Sequence, residues 1–222
     1  MKDVSIPDDL VPALPDLPLF PLHHAVLFPG ALLPLHVFEP RYRDLVNDIL
    51  GKHRTLCIPH LLDVEGADRD DAPIAEIGGI GTIVEHQPLL GGRANIMLLG
   101  RGRVRLQELR FRAPYRRAFA TLLPTDDDPE DLPGVELAAL HAAASAFTQL
   151  VRSRDEDFHL QLPKDASPGI VADAFAAHLV ISPRERQAAL ETLDVRARSQ
   201  RLTEVLTVQR ASLAGPQDAV LN

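Results

Sequence analysis

Between Asp16 and Glu39 the chain carries no formal charge for 22 residues, LPLFPLHHAVLFPGALLPLHVF, and sets Pro18, Pro21, Pro29 and Pro34 within that run. An apolar run of this length would cross a bilayer if it were helical. The prolines forbid the helix, because each removes a backbone donor and clashes with the preceding turn. His23, His24 and His36 add polar groups that hydrocarbon does not solvate. The stretch is therefore expected to form short buried strands started and stopped by proline, with Phe28-Pro29-Gly30 as a turn.

Strand signals continue to about Pro124. TLCIPHLL is a short apolar run and IAEIGGIGTIVEH is β-branched and punctuated by glycine. QPLLGGRANIMLLGRGRVRLQEL reads as a hairpin, with Gly91-Gly92 supplying the positive φ of a tight turn and Ile96 to Leu98 on the returning strand. The glycines of GGIGTIVEHQPLLGGR are assigned to strand bulges. Arg101, Arg103 and Arg105 alternate with Gly102, Val104 and Leu106, a period of two that places three guanidinium groups on one face. One helix is expected in this half, PRYRDLVNDILGK, with Pro40 in its first turn, a stripe of Tyr42, Leu45, Val46 and Ile49, and Gly51 at its end. Strands closed around one helix point to a small barrel.

The acidic stretch LPTDDDPEDLPG changes the character of the chain, and the boundary is placed near Pro133. Beyond it Leu137, Leu140, Ala144, Phe147 and Val151 form one apolar stripe at helical spacing. Ser167-Pro168 is an N-cap with proline at the first helical position, Ser182 to Glu185 is a capping box, and Asp194 caps a last helix with Val195, Leu202, Val205 and Leu206 on one side. The expected layout is a loose lead-in over 1–16, a β-barrel-like region over 17–125, an acidic linker over 126–133, a helical bundle over 134–213 and a tail over 214–222.

Composition narrows the function classes. A hydrophobic fraction of 45% over 222 residues supports a sizeable core. Cys57 is the only cysteine, and the start MKDVSIPDDLVPALPDLP has neither a basic n-region nor an apolar h-region, so a cytoplasmic protein is expected, with no membrane partner. The formal charge of -8 argues against a general nucleic-acid binder, yet seven arginines and one acid, Glu108, lie between Arg101 and Arg117. With Phe111, Tyr115 and Phe119 nearby, these strands offer an alternative as an RNA groove, against a solvated face whose guanidiniums pair with acidic loops.

No catalytic constellation emerges. Gly-x-Ser-x-Gly and the phosphate-loop pattern are both absent. His23 and His24, as strand neighbours, point to opposite faces and cannot ligate one ion together with His36. Cys57 and His60 diverge in the same way, and Cys57 is expected to be buried and inert. TDDDPED lacks the calcium-loop spacing and is taken as solvated linker. Catalytic, cofactor-binding and metal residues are therefore expected to be none, and no cofactor is implied; an enzyme with an unrecognised small-molecule site stays open as a further alternative.

The block LPLFPL, then VLFPGALLPLHVFEPRYRDLV, then IGGIGTIVEHQPLLGGRANIMLLGRGRVRLQEL with PYRRAFATLLP, resembles the N-terminal, substrate-binding domain of Lon protease. The likeness covers about residues 15 to 210, including LVISPRERQAALETLDVRARSQRLTEVL. The resemblance implies an α+β fold: an N-terminal PUA-like β pseudo-barrel with one helix, followed by a C-terminal α-helical bundle. It also implies recognition of protein substrates, and a role associated with proteolysis. Neither the phosphate loop of the Lon ATPase nor the Ser-Lys dyad of its protease is present, so a stand-alone, non-catalytic module is expected. Its expected partners are other proteins, either unfolded or client segments or a protease, with an adaptor role as one form of that recognition. Leu32, Leu33, Phe38, Arg41 and Tyr42, flanking the strand-to-helix junction, are the candidate protein contacts; Arg101, Arg103 and Arg105 are the candidate basic face.

Overall fold

The computed structural model describes residues 7–63, 69, 71–124, 134–160, 162 and 166–214. The chain divides into two compact units, Met1–Pro124 and Thr125–Asn222. The expected boundary at Pro133, the acidic linker over 126–133 and the tail after Ala214 lie outside the described residues.

In the first unit six strands form one sheet: β1 (Leu17–Pro18), β2 (Leu32–Val37), β3 (Thr55–Ile58), β4 (Ile77–Pro88), β5 (Ala94–Glu108) and β6 (Arg117–Leu123). β5 organises it. β4 runs antiparallel along one edge of β5, while the other edge is shared, with β2 against Ala94 to Leu99 and β6 against Arg103 to Glu108. β1 pairs with β6, and the residues after it pair in parallel with the end of β3, Leu19 with Cys57 and Leu22 with His60. Phe20 N donates to Cys57 O at 2.8 Å and Leu22 N to Pro59 O at 3.1 Å. The order β1-β6-β5-β4-β3 thereby returns to its start as a ring of paired backbone, which leaves few open edges.

Both faces of this sheet are packed. On β3, Leu56 and Ile58 enter one apolar cluster and Cys57 enters another, as alternation demands. The first cluster receives helix α1 (Pro40–Leu50) through Tyr42, Leu45, Val46 and Ile49. The second receives Ala13 and Leu14 from the 3₁₀ segment Val11–Asp16 and Leu10 from the residue that precedes it. For the described residues 7–16 this corrects the expected loose lead-in: Pro12 and Pro15 mask the helical spacing of Leu10, Ala13, Leu14 and Leu17, yet these four side chains are buried.

The β4–β5 hairpin turns through Gly91 and Gly92, at φ of 75° and 71°. Bulges interrupt its ladder between Ile80 and Gly81 and between Ile83 and Glu85, and the first leaves Arg101 without a partner on β4. Gly79 has a different use from the strand bulge expected of it, and Gly100 on β5 shares that use. The chain from Leu27 to Phe28 crosses directly over the sheet, so that a Cβ at Gly79 would overlap the Leu27 carbonyl and one at Gly100 the Phe28 carbonyl.

The second unit holds α2 (Gly134–Arg152), α3 (Pro168–Leu179), α4 (Pro183–Glu191) and α5 (Val195–Ala214). Leu140, Ala144 and Phe147 of α2 are buried, as are Val195, Leu202 and Leu206 of α5. Ser167 and Ser182 accept from the N–H groups of Ile170 and Glu185, and Asp194 from that of Ala197, so three helix starts are capped by the residues their sequence offers. The core also contains a charge pair: Arg198 of α5 meets Asp173 of α3 at 3.1 Å, with side chains 0% and 2% exposed.

Candidate protein-binding groove

The strand-to-helix junction after β2 opens onto a concave groove of about 410 Å³. Pro34 prevents β2 from presenting a full set of donors, so Pro34, Leu35 and His36 contribute side chains rather than a continuous open edge. Opposite them the chain from Phe20 to His24 supplies the second wall, held in place by its parallel pairing with the end of β3. The floor is aromatic. Phe20 and Tyr42 stack at 3.9 Å between ring centroids and 11° between planes, and the Arg41 guanidinium lies 4.7 Å from the Tyr42 centroid. Arg41 Nε donates to the Glu39 carboxylate at 2.9 Å, so charge at this end of the groove is internally balanced. At the mouth Phe38 is 59% exposed.

Of the five expected contacts, Phe38, Arg41 and Tyr42 line this groove together. Tyr42 is buried and serves as floor; Phe38 is the accessible aromatic. Leu32 is exposed but lies outside the groove, and Leu33 packs partly against the apolar cluster beneath β2. Phe20, Leu22 and Leu61 were not expected here. Their place depends on the parallel pairing of Leu22 with His60, a contact between distant segments that no local pattern encodes.

His23 and His24 sit in a bend, not on a strand, and both are exposed, with ring centroids 4.9 Å apart in an edge-to-face arrangement. The expectation that they point to opposite faces therefore fails for lack of the pleat on which it rests. Both line the groove with His36, whose Nδ1 lies 2.8 Å from Asn95 Oδ1. Among the described residues no three or more His, Cys, Asp or Glu side chains converge in a way that would hold a metal ion. Cys57 is fully buried, and burial pushes its thiol pKa far up, which suppresses the thiolate.

The three arginines of β5 do not share a solvated face. Arg101 is the bulge residue and pairs with Asp9 at 2.7 Å. Arg103 is 0% exposed; it stands opposite Gly79, beneath the crossing Leu27-Phe28 segment. Arg105 alone is exposed. Alternation along the strand is real, but a one-residue bulge and a covering chain segment divide the three guanidiniums among different surroundings.

No described helix is long and apolar enough to cross a membrane. A family model described as the ATP-dependent protease La (LON) substrate-binding domain matches residues 16–208. The chain is 30% identical over 213 residues to the Lon protease of Roseiflexus castenholzii, covering 94% of this chain and 26% of that protein. It is 29% identical to Lon protease 2 of Myxococcus xanthus, covering 89% and 24%. The chain thus spans about a quarter of the length of these curated relatives. Among solved structures, a Lon N-terminal domain protein from Xanthomonas campestris aligns with a TM-score of 0.63 at 26% identity, covering 85% of this chain and 97% of that one. The N-terminal domain of a Mycobacterium avium complex Lon protease aligns at 0.64 with 17% identity and agrees in fold.

Proposed function

The chain belongs to the Lon substrate-binding domain family, and we propose that it is a non-catalytic recognition module that takes exposed apolar segments of other proteins into the groove beside Phe38. The closed strand ring is, in this proposal, the PUA-like pseudo-barrel of the family and the helical unit its bundle. The module acts in the cytoplasm as an adaptor that presents client segments to a protease.

The observation that carries the proposal is the pairing of an aromatic floor, Phe20 on Tyr42, with an aromatic side chain left open to solvent, Phe38. Fully covering a phenylalanine is worth about 1.5–3 kcal/mol, so the groove can hold an apolar side chain with useful affinity and no deep cavity. Strand addition along β2 is disfavoured at Pro34, which has no N–H to give, so recognition here rests on side chains. The RNA alternative finds less support, since Arg103 is sealed and Arg101 is paired with Asp9.

The test is fluorescence anisotropy of a labelled, reduced and carboxymethylated polypeptide titrated with the full chain. Saturable binding is expected, weakened about tenfold or more in Phe38→Asp, a loss of at least about 1.4 kcal/mol. Because Phe38 is exposed, the variant should melt like the parent. Equal affinity in the two proteins would remove the groove as the binding site.

A further inference from the structure

We infer that a second cavity in the first unit, at the β5–β6 turn, is a binding site for a multivalent oxyanion. The cavity measures about 450 Å³ and is lined by Pro15, Asp16, Leu109, Arg110, Arg112 and Arg117. Three guanidiniums face one carboxylate there, in a chain whose formal charge is -8. That leaves two positive charges without a partner in the lining, enough to call for a dianion.

The arginines of this hairpin differ in how fully the protein uses them. Arg116 is saturated internally: its Nε and Nη2 donate to the Glu108 carboxylate at 2.6 and 2.7 Å, and its Nη1 to Ala72 O at 2.6 Å. Arg110 and Arg112 are exposed, and their side chains make no hydrogen bond or ion pair among the described residues, although the Arg112 backbone bridges to Tyr115. Arg117 is intermediate. Its Nη1 reaches Asp16 only at 3.4 Å, and its Nε is buried without any hydrogen-bond partner.

Arg117 is also held in place from behind. Its Nη2 donates to the Tyr115 hydroxyl at 2.9 Å, its guanidinium lies 4.6 Å from the Tyr115 ring centroid, and the same hydroxyl donates to Asp48 of α1 at 2.7 Å. One fixed guanidinium and two exposed ones with no side-chain partner among the described residues, around a cavity of ligand size, form an arrangement in which planar forks can grip phosphate or carboxylate groups. The ligand chemistry is therefore a compact anion with two or more negative charges, supplied by a phosphate-bearing or a polycarboxylate small molecule. The site shares no lining residue with the groove at Phe38, and does not depend on it.

Isothermal titration of the full chain at low ionic strength with pyrophosphate, and separately with citrate, tests the assignment. Saturable one-to-one binding of at least one anion is expected, and the tighter of the two identifies the phosphate-bearing or the polycarboxylate source. The double variant Arg110→Gln/Arg112→Gln should lose about tenfold or more in affinity, as two charge-assisted contacts are removed. Arg101→Gln, which alters an arginine outside the cavity, should bind like the parent. No saturable binding of either anion, or undiminished binding in the double variant, would overturn the inference.

Discussion

Asp173→Ala is expected to cost the helical unit about 3–5 kcal/mol, the range found when one member of a buried ion pair is removed. Asp173 and Arg198 are sealed from solvent, and Arg198 Nη1 additionally donates to the carbonyls of Thr192 and Leu193 at 2.7 and 3.0 Å. Those carbonyls satisfy donors but do not neutralise the charge. With the carboxylate gone, a guanidinium remains in an apolar interior, and total domain stability is only about 5–15 kcal/mol. The double change Asp173→Leu with Arg198→Met removes the charge as well, and should cost much less than the single one. Urea unfolding followed by far-ultraviolet circular dichroism checks both; a single variant as stable as the parent would show that the pair does not hold α3 to α5.

Gly100→Val should be comparably damaging in the first unit, at about 3 kcal/mol or more, above the usual range for overpacking. The obstruction is backbone. Gly30 N donates to Gly100 O and Gly100 N to Ala31 O, both at 2.8 Å, which clamps the crossing segment against β5 where the Phe28 carbonyl lies over Gly100. Phe28 is 0% exposed, so the segment cannot lift away without emptying the core beneath it. Gly51, with φ of -85° and open space where a Cβ would stand, supplies the contrast: Gly51→Ala should leave the melting temperature almost unchanged. Equal melting temperatures for the two variants would contradict the close approach.

The features legible in the sequence are those that local physics decides. Helix α1 follows from Pro40 and the stripe of Tyr42 to Ile49; the hairpin turn follows from Gly91-Gly92; the caps at Ser167, Ser182 and Asp194 follow from side chains placed where the first N–H groups of a helix need acceptors. The features that escaped it are long-range. Nothing near Leu19 and Leu22 announces their parallel pairing with Cys57 and His60, which closes the ring and brings Phe20 onto Tyr42. Arg103 is buried although strand alternation places it with Arg101 and Arg105, and the packing of Leu10 and Leu14 is hidden by the prolines among them. The groove was thus half visible: Phe38, Arg41 and Tyr42 flank a recognisable junction, while its second wall comes from another part of the chain.

Amide hydrogen exchange of the full chain, with and without a saturating unfolded polypeptide, tests the proposed recognition most directly. Binding in the groove predicts new protection concentrated in residues 20–24 and 35–42, lost in Phe38→Asp. Protection confined to the helices over 134–214, with none around Phe38, would contradict it.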